Sequence, residues 1–129
     1  MTKSSKQEYI DYQINTAKET LQAARSLAKD GYWNSVINRL YYSCFYAIQA
    51  LLFKYDISTR SHSGLKHRFS LHFVKSGKID KNLAGVFIEL SDFRQESDYA
   101  DFIDFNEEET LPLIPRVENL IQRIEDLIY

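Results

Sequence analysis

The stretch RQESDY, residues 94–99, sets Arg94, Glu96, Asp98 and Tyr99 within two turns of a helix. An arginine offers a permanent charge and a planar fork of donors suited to phosphate. A carboxylate offers a proton acceptor, and a phenol offers a hydrogen-bond donor. Arg94 and Asp98 stand four apart and are able to touch. The order is the less favourable one, because an acid near a helix C-terminus meets the negative end of the helix dipole. Either this is the solvated end of a helix, or its residues were chosen for something other than helix stability. A second polar set lies in NRLYYSCFYAIQALL, residues 38–52, where Arg39, Tyr42, Ser43 and Tyr46 share one helical face. Two readings fit that face: the hydroxyls and Arg39 satisfy each other between helices, or they contact a phosphate or base.

Other chemistries lack their residues. Carboxylate-bridged metal sites in helical bundles need Glu-x-x-His on two helices, and the chain has no such sequence. His62, His67 and His72 fall five apart, so on a helix each step turns the side chain by about 140° and the three cannot share a face. They are expected as surface or half-buried residues, and no metal is expected. There is no glycine-rich phosphate loop and no nucleophile elbow. Cys44 lies in an apolar stripe without a nearby base and is expected in the core.

The elements that carry these residues are helices. Ile10, Ile14, Ala17, Leu21, Ala24 and Ala28 define a first amphipathic helix over about 6–29, stopped by Gly31. Trp33, Val36, Ile37, Leu40, Cys44, Ile48, Leu51, Leu52 and Tyr55 make a broader stripe, so the second helix, about 33–55, is expected to be the most buried. A connection over 56–63 leads to a short helix over 65–74 with Leu65, Phe69 and Phe73 on one side. A fourth helix over about 81–97 carries Leu83, Val86, Phe87, Leu90 and Phe93, with Asp80 as N-cap. Asn106 and the acids after it read as another helix start, yet Pro112 and Pro115 follow. Either the last helix kinks there, or a short turn precedes a helix beginning near Leu113. No alternating strand pattern competes. The expected fold is all-α, an antiparallel up-and-down four-helix bundle with one additional short helix.

The chain's 129 residues suit one domain, 1–129, and its 44% apolar and 26% charged content is ordinary for a globular protein. One cysteine and no signal peptide fit a cytoplasmic location. The longest apolar run is broken by Arg39, Ser43, Gln49 and Lys54, which excludes a membrane span there. A net charge of −2 conceals an asymmetry. Residues 60–81 hold six Lys or Arg against one acid, whereas residues 82–129 hold twelve acids against three Arg. The two regions either neutralise each other or leave the basic one for phosphate.

With these residues in hand, the chain resembles the HEPN domain family, most closely its small stand-alone prokaryotic members. The resemblance rests on three blocks in order: NRLYYSCFYAIQALL, then SHSGLKHRFSLHFVKSGKID at 61–80, then LSDFRQESDYADF at 90–102. It implies a helical bundle that forms a homodimer. It also implies metal-independent ribonuclease chemistry, RNA or nucleotide binding at a dimer cleft, and a minimal nucleotidyltransferase partner in a toxin–antitoxin-like pair. No cofactor is implied. Arg94 matches the arginine of the family's Arg…His motif, and Tyr99 stands where that motif has histidine. The residues carried over are therefore Arg94, Asp98 and Tyr99 as the catalytic cluster, with Arg39 and Tyr42 contributing from the second helix. Histidine titrates near 6.5 and tyrosine near 10, so tyrosine is a poor base at neutral pH (both about, for unperturbed groups). The phosphate-binding half of the motif is kept and the acid–base half is open. A non-catalytic interaction or dimerisation module is the alternative.

Overall fold

The computed structural model describes the backbone of residues 3–99 and 104–129, and the side chains of residues 5–94 and 104–129. Its helices are α1 (Lys3–Lys29), α2 (Trp33–Lys54), α3 (His62–Phe69), α4 (Lys81–Tyr99), α5 (Glu107–Thr110) and α6 (Leu113–Ile128). Among the described residues there is no strand. The chain is the all-α bundle that the periodicities imply, with α1, α2, α4 and α6 as its long members. No helix among the described residues is long and apolar enough to cross a membrane.

α2 is the central element, packed against α1, α3, α4, α5 and α6. Its stripe of Val36, Ile37, Leu40, Cys44, Ile48, Leu51 and Leu52 is buried, while Tyr55 at its end is exposed. Ile10, Ile14, Ala17, Leu21 and Ala24 bury the facing side of α1. Small residues there let the two helices lie close. One polar contact crosses that seam: the fully buried Ser43 hydroxyl donates to the Ala17 carbonyl at 2.7 Å. From α6, Val117, Leu120, Ile121 and Ile124 close the core.

The helix ends follow from local chemistry. At the end of α1, Gly31 takes a positive φ of 77°, and the Tyr32 amide reaches back to the Leu27 carbonyl at 3.1 Å. This is the left-handed stop that glycine favours. Asp80 caps α4 by accepting from the Asn82 amide at 2.8 Å. Asn106 caps α5 by accepting from the Glu109 amide at 2.9 Å. α5 lasts four residues, then Pro112 precedes α6, with Pro115 inside its first turn. There a missing amide costs nothing, because the first amides of a helix have no intrahelical partner. The separate-turn alternative thus holds, and α6 itself is not broken.

α3 begins three residues earlier than its apolar pattern suggests, at His62. Ser61 is extended and its side chain accepts from the Gly64 amide at 2.9 Å, which fixes where the helix starts. A Cβ on Gly64 would lie 3.0 Å from that serine oxygen, so glycine suits the cap. α3 then widens into a single π-helical turn over Ser70–Val74, with Phe69 and Phe73 both buried. Such turns are frequent at functional sites.

Candidate functional site

Three elements meet at one groove. α2 contributes the consecutive aromatic residues Tyr41 and Tyr42, and Phe45 one turn later. Tyr41 is 2% exposed, and its ring stacks on Phe87 of α4 at 5.7 Å between centroids. Tyr42 meets it edge-on at 5.1 Å. α3 contributes His62 at its first position. The imidazole lies against the Phe45 ring, 4.6 Å between centroids and 28° between planes. Its Nδ1 is 2.7 Å from the Tyr41 hydroxyl.

α4 contributes Arg94. Its Cζ sits 5.1 Å from the centre of the Tyr41 ring and 5.8 Å from that of Tyr42. Nη2 also donates a long hydrogen bond to the Tyr42 hydroxyl at 3.5 Å. A guanidinium over aromatic faces is attracted by the ring quadrupoles. Arg94 makes no ion pair among the described residues. The groove holds about 350 Å³, and its walls include Tyr41, His62, Lys66, His67, Ser91 and Arg94. Lys66 is 3.7 Å from Asp92, so its charge is partly offset.

This setting shifts two titrations. Burial pushes the Tyr41 phenol up to about 12, with the Arg94 charge opposing the rise. Tyr41 is therefore a neutral phenol at any physiological pH. Burial, and then the positive charge of Arg94, hold His62 below the usual histidine value. His62 is therefore a neutral imidazole at neutral pH. The groove thus joins a fixed cation, a neutral imidazole and a phenol that is able to donate or accept. No group of three potential metal ligands occurs among the described residues.

The HEPN domain model matches residues 10–127 of the chain. The chain belongs to the HEPN domain family. It is 34% identical over 125 residues to a UPF0332 protein of Thermotoga maritima, covering 97% of this chain and 95% of that one. It is 32% identical over 96 residues to "Putative toxin MJ0142" of Methanocaldococcus jannaschii, covering 74% of this chain and 65% of that protein. It is 29% identical over 118 residues to "Putative toxin MJ0605" of the same organism, covering 92% and 87%.

In this HEPN chain the residues singled out from sequence are distributed unequally. Arg94 lines the groove, and Tyr42 contacts Arg94 through its hydroxyl. Asp98 and Tyr99 continue the α4 backbone, but their side chains lie outside the described residues. The expected polar face of α2 divides. Ser43 turns inward to α1, Tyr46 is half-buried beside Tyr42 at 6.1 Å, and Arg39 is exposed. Arg39 lines a different shallow groove with Leu27, Asn34, Ser35 and Asn38. The two residues that the sequence pattern did not connect to Arg94 are Tyr41 and His62. One signal was present: Ser61 with Gly64 marks a helix start, and that start fixes His62.

Of the three histidines, His67 is exposed, whereas His62 and His72 are half-buried. Cys44 is fully buried, as its stripe implied. The basic middle of the chain is engaged only in part. Lys66 faces Asp92, and Lys78 lies over the Tyr55 and Phe73 rings while its carbonyl accepts from Arg123.

Proposed function

We propose that this HEPN protein is a toxin-type RNA-binding protein that holds an RNA phosphate on Arg94 and cuts the strand without a metal. It acts as a homodimer with two such grooves at or near the shared cleft, restrained by a minimal nucleotidyltransferase partner. The observation that carries this reading is the Arg94 guanidinium in an open groove, its Cζ 5.1 Å and 5.8 Å from the Tyr41 and Tyr42 ring centres, with no ion-pair partner among the described residues. Only one long hydrogen bond, to the Tyr42 hydroxyl, engages the guanidinium among the described residues, which leaves the rest of its five N–H donors for a phosphate. A fixed positive charge in an open groove is also what proteins that track a single-stranded RNA backbone use. The toxin names of two relatives support the same direction.

The test is the purified full chain with single-stranded RNA in excess EDTA. Cleavage by the wild type that is lost in Arg94→Ala supports the reading. An intact RNA pool after prolonged incubation, with binding unaffected by the substitution, overturns it. Tyr99 at the position of the family's histidine favours a second reading, in which the groove binds RNA without turnover. That reading expects RNA affinity that depends on Arg94 and no cleavage.

A further inference from the structure

We propose that His62 is the proton acceptor for the RNA 2′-hydroxyl in this groove, with Tyr41 as the residue that positions its ring. The proposal rests on the RNA-cleaving reading above and assigns the acid–base half of the site to α3 rather than to the Arg94–Tyr99 stretch.

The geometry is that of a held imidazole. Phe45 supports one face of the His62 ring, and Tyr41 engages Nδ1 at 2.7 Å. With Nδ1 occupied, Nε2 is the ring nitrogen available to a ligand in the groove that His62 lines. The Tyr41 hydroxyl accepts when Nδ1 carries a proton, and that tautomer leaves Nε2 as an acceptor. The same bond persists once the ring becomes imidazolium, because Nδ1 remains a donor. The phenol stays protonated at working pH, so its hydroxyl remains a partner for Nδ1 in either tautomer, and the Nδ1–H form is the one the step uses. His67 lines the groove as well but is exposed, and among the described residues no hydrogen bond or ring contact comparable to that of Tyr41 orients it.

The groups around His62 set its protonation. Tyr41 and Tyr42 face it from α2, Lys66 and His67 share its own helix, and Arg94 and Ser91 reach the groove from α4, with Asp92 paired to Lys66. The Arg94 charge disfavours imidazolium while the groove is empty. A phosphate bound to Arg94 offsets that charge, so proton uptake becomes easier when substrate is present.

The step balances without a co-reactant. Nε2 takes the 2′-hydroxyl proton as the 2′-oxygen forms a bond to phosphorus. The bond from phosphorus to the 5′-oxygen breaks, giving a 2′,3′-cyclic phosphate and a 5′-hydroxyl. The leaving oxygen takes its proton from water, and the imidazolium returns its own to solvent. Arg94 stabilises the charge that grows on the non-bridging oxygens.

The experiment uses the full chain in EDTA with a labelled oligoribonucleotide, beside a 2′-O-methyl version that binds but cannot be cut. His62→Asn keeps a polar partner for Tyr41. It is expected to lower cleavage by at least ~100-fold, in the range usual for loss of a positioned base. Affinity for the 2′-O-methyl RNA should stay within about twofold, since one hydrogen-bonding group is exchanged for another. Tyr41→Phe should move the acidic limb of the pH–rate profile, which a merely structural role would not do. The wild-type profile is a check that needs no substitution: the acidic limb of kcat/KM should coincide with the His62 titration read by NMR on the RNA-free protein. His62→Asn cutting at the wild-type rate overturns the assignment and leaves the Arg94 reading intact. Equal losses of binding and cleavage in that variant would make His62 a binding residue and also overturn it. A wild type that binds RNA and never cuts it overturns both cleavage and this proposal.

Discussion

Replacing Arg94 by alanine removes the one groove cation stacked on the aromatic shelf, and the size of the effect follows from what the residue touches. Toward RNA, the loss is one set of charge-assisted hydrogen bonds to a phosphate, worth about 1.5–3 kcal/mol. That converts to roughly a 10- to 150-fold weaker Kd. For a single strand, each neutralised phosphate adds about 0.7 to the slope of log K against log salt, so that slope should fall by about 0.7. Toward the fold, the loss is a guanidinium whose Cζ lies 5.1 Å from one ring centre and 5.8 Å from another. Such contacts contribute about 0.5–2 kcal/mol, depending on how far they are desolvated. For a chain of this size the melting temperature should fall by a few degrees, roughly 3 °C per kcal/mol. Arg94→Lys keeps the charge but loses the planar fork and the stacking. It should keep the salt slope and recover only part of the affinity. The assay is fluorescence anisotropy with a labelled single-stranded RNA across a salt series, beside thermal unfolding by circular dichroism. An alanine variant with wild-type affinity and wild-type slope would refute the phosphate role of Arg94.

Three further outcomes test the surrounding structure. His62 titrates below its unfolded value of about 6.5, so its contribution to stability is fully present above that pH. As the pH falls, the unfolded chain binds the proton first, and the contribution is lost as the pH passes down through the folded value. Urea unfolding should therefore show this contribution declining from pH 7.5 to pH 5 in the wild type, and a flatter trend in His62→Asn. Asn106→Ala removes the cap that accepts from the Glu109 amide and should cost about 1 kcal/mol, read as a lower urea midpoint. Burial drives the Cys44 thiol well above its usual range, so a thiol reagent should fail to label the native chain and should label it fully in denaturant.

The elements of the bundle were legible because each is written locally. The apolar stripes of α1, α2 and α6 repeat at helical spacing, and Asp80 and Asn106 announce their caps by residue type. The proline pair could be read two ways from sequence. It resolves only because the turn between α5 and α6 lets Pro115 fall in the first turn of a new helix. Arg94 was legible through its family motif. The rest of the site was not, for a geometric reason. Periodicity says which residues of one helix share a face, but not how that helix is rotated against its neighbours. Tyr42, Ser43 and Arg39 look like one polar face on paper, yet α1 claims Ser43 and solvent claims Arg39. Tyr41 looks like core and is core, but its hydroxyl is the atom that reaches α3. No spacing rule connects His62 to Arg94, because they belong to different helices brought together by the packing of Tyr41, Phe45 and Phe87.

The choice of aromatic rings beneath Arg94 has a consequence for both halves of the site. An arginine held by a carboxylate would have to exchange that partner for a phosphate, and the charge it presents to its surroundings would already be cancelled. An arginine held beside aromatic rings keeps most of its donors unengaged and its charge uncompensated by the described residues. That bare charge is what would attract a phosphate on the proposed reading, and it is also one of the two causes that hold the His62 titration down. On the proposed assignment, the base is kept in its accepting form by the same group that would bind the substrate. On that assignment, arrival of the phosphate would relax the repulsion at the step where the imidazole takes up a proton. A carboxylate introduced beside Arg94 would weaken both effects together, whereas loss of the Tyr41 hydroxyl would disturb only the imidazole.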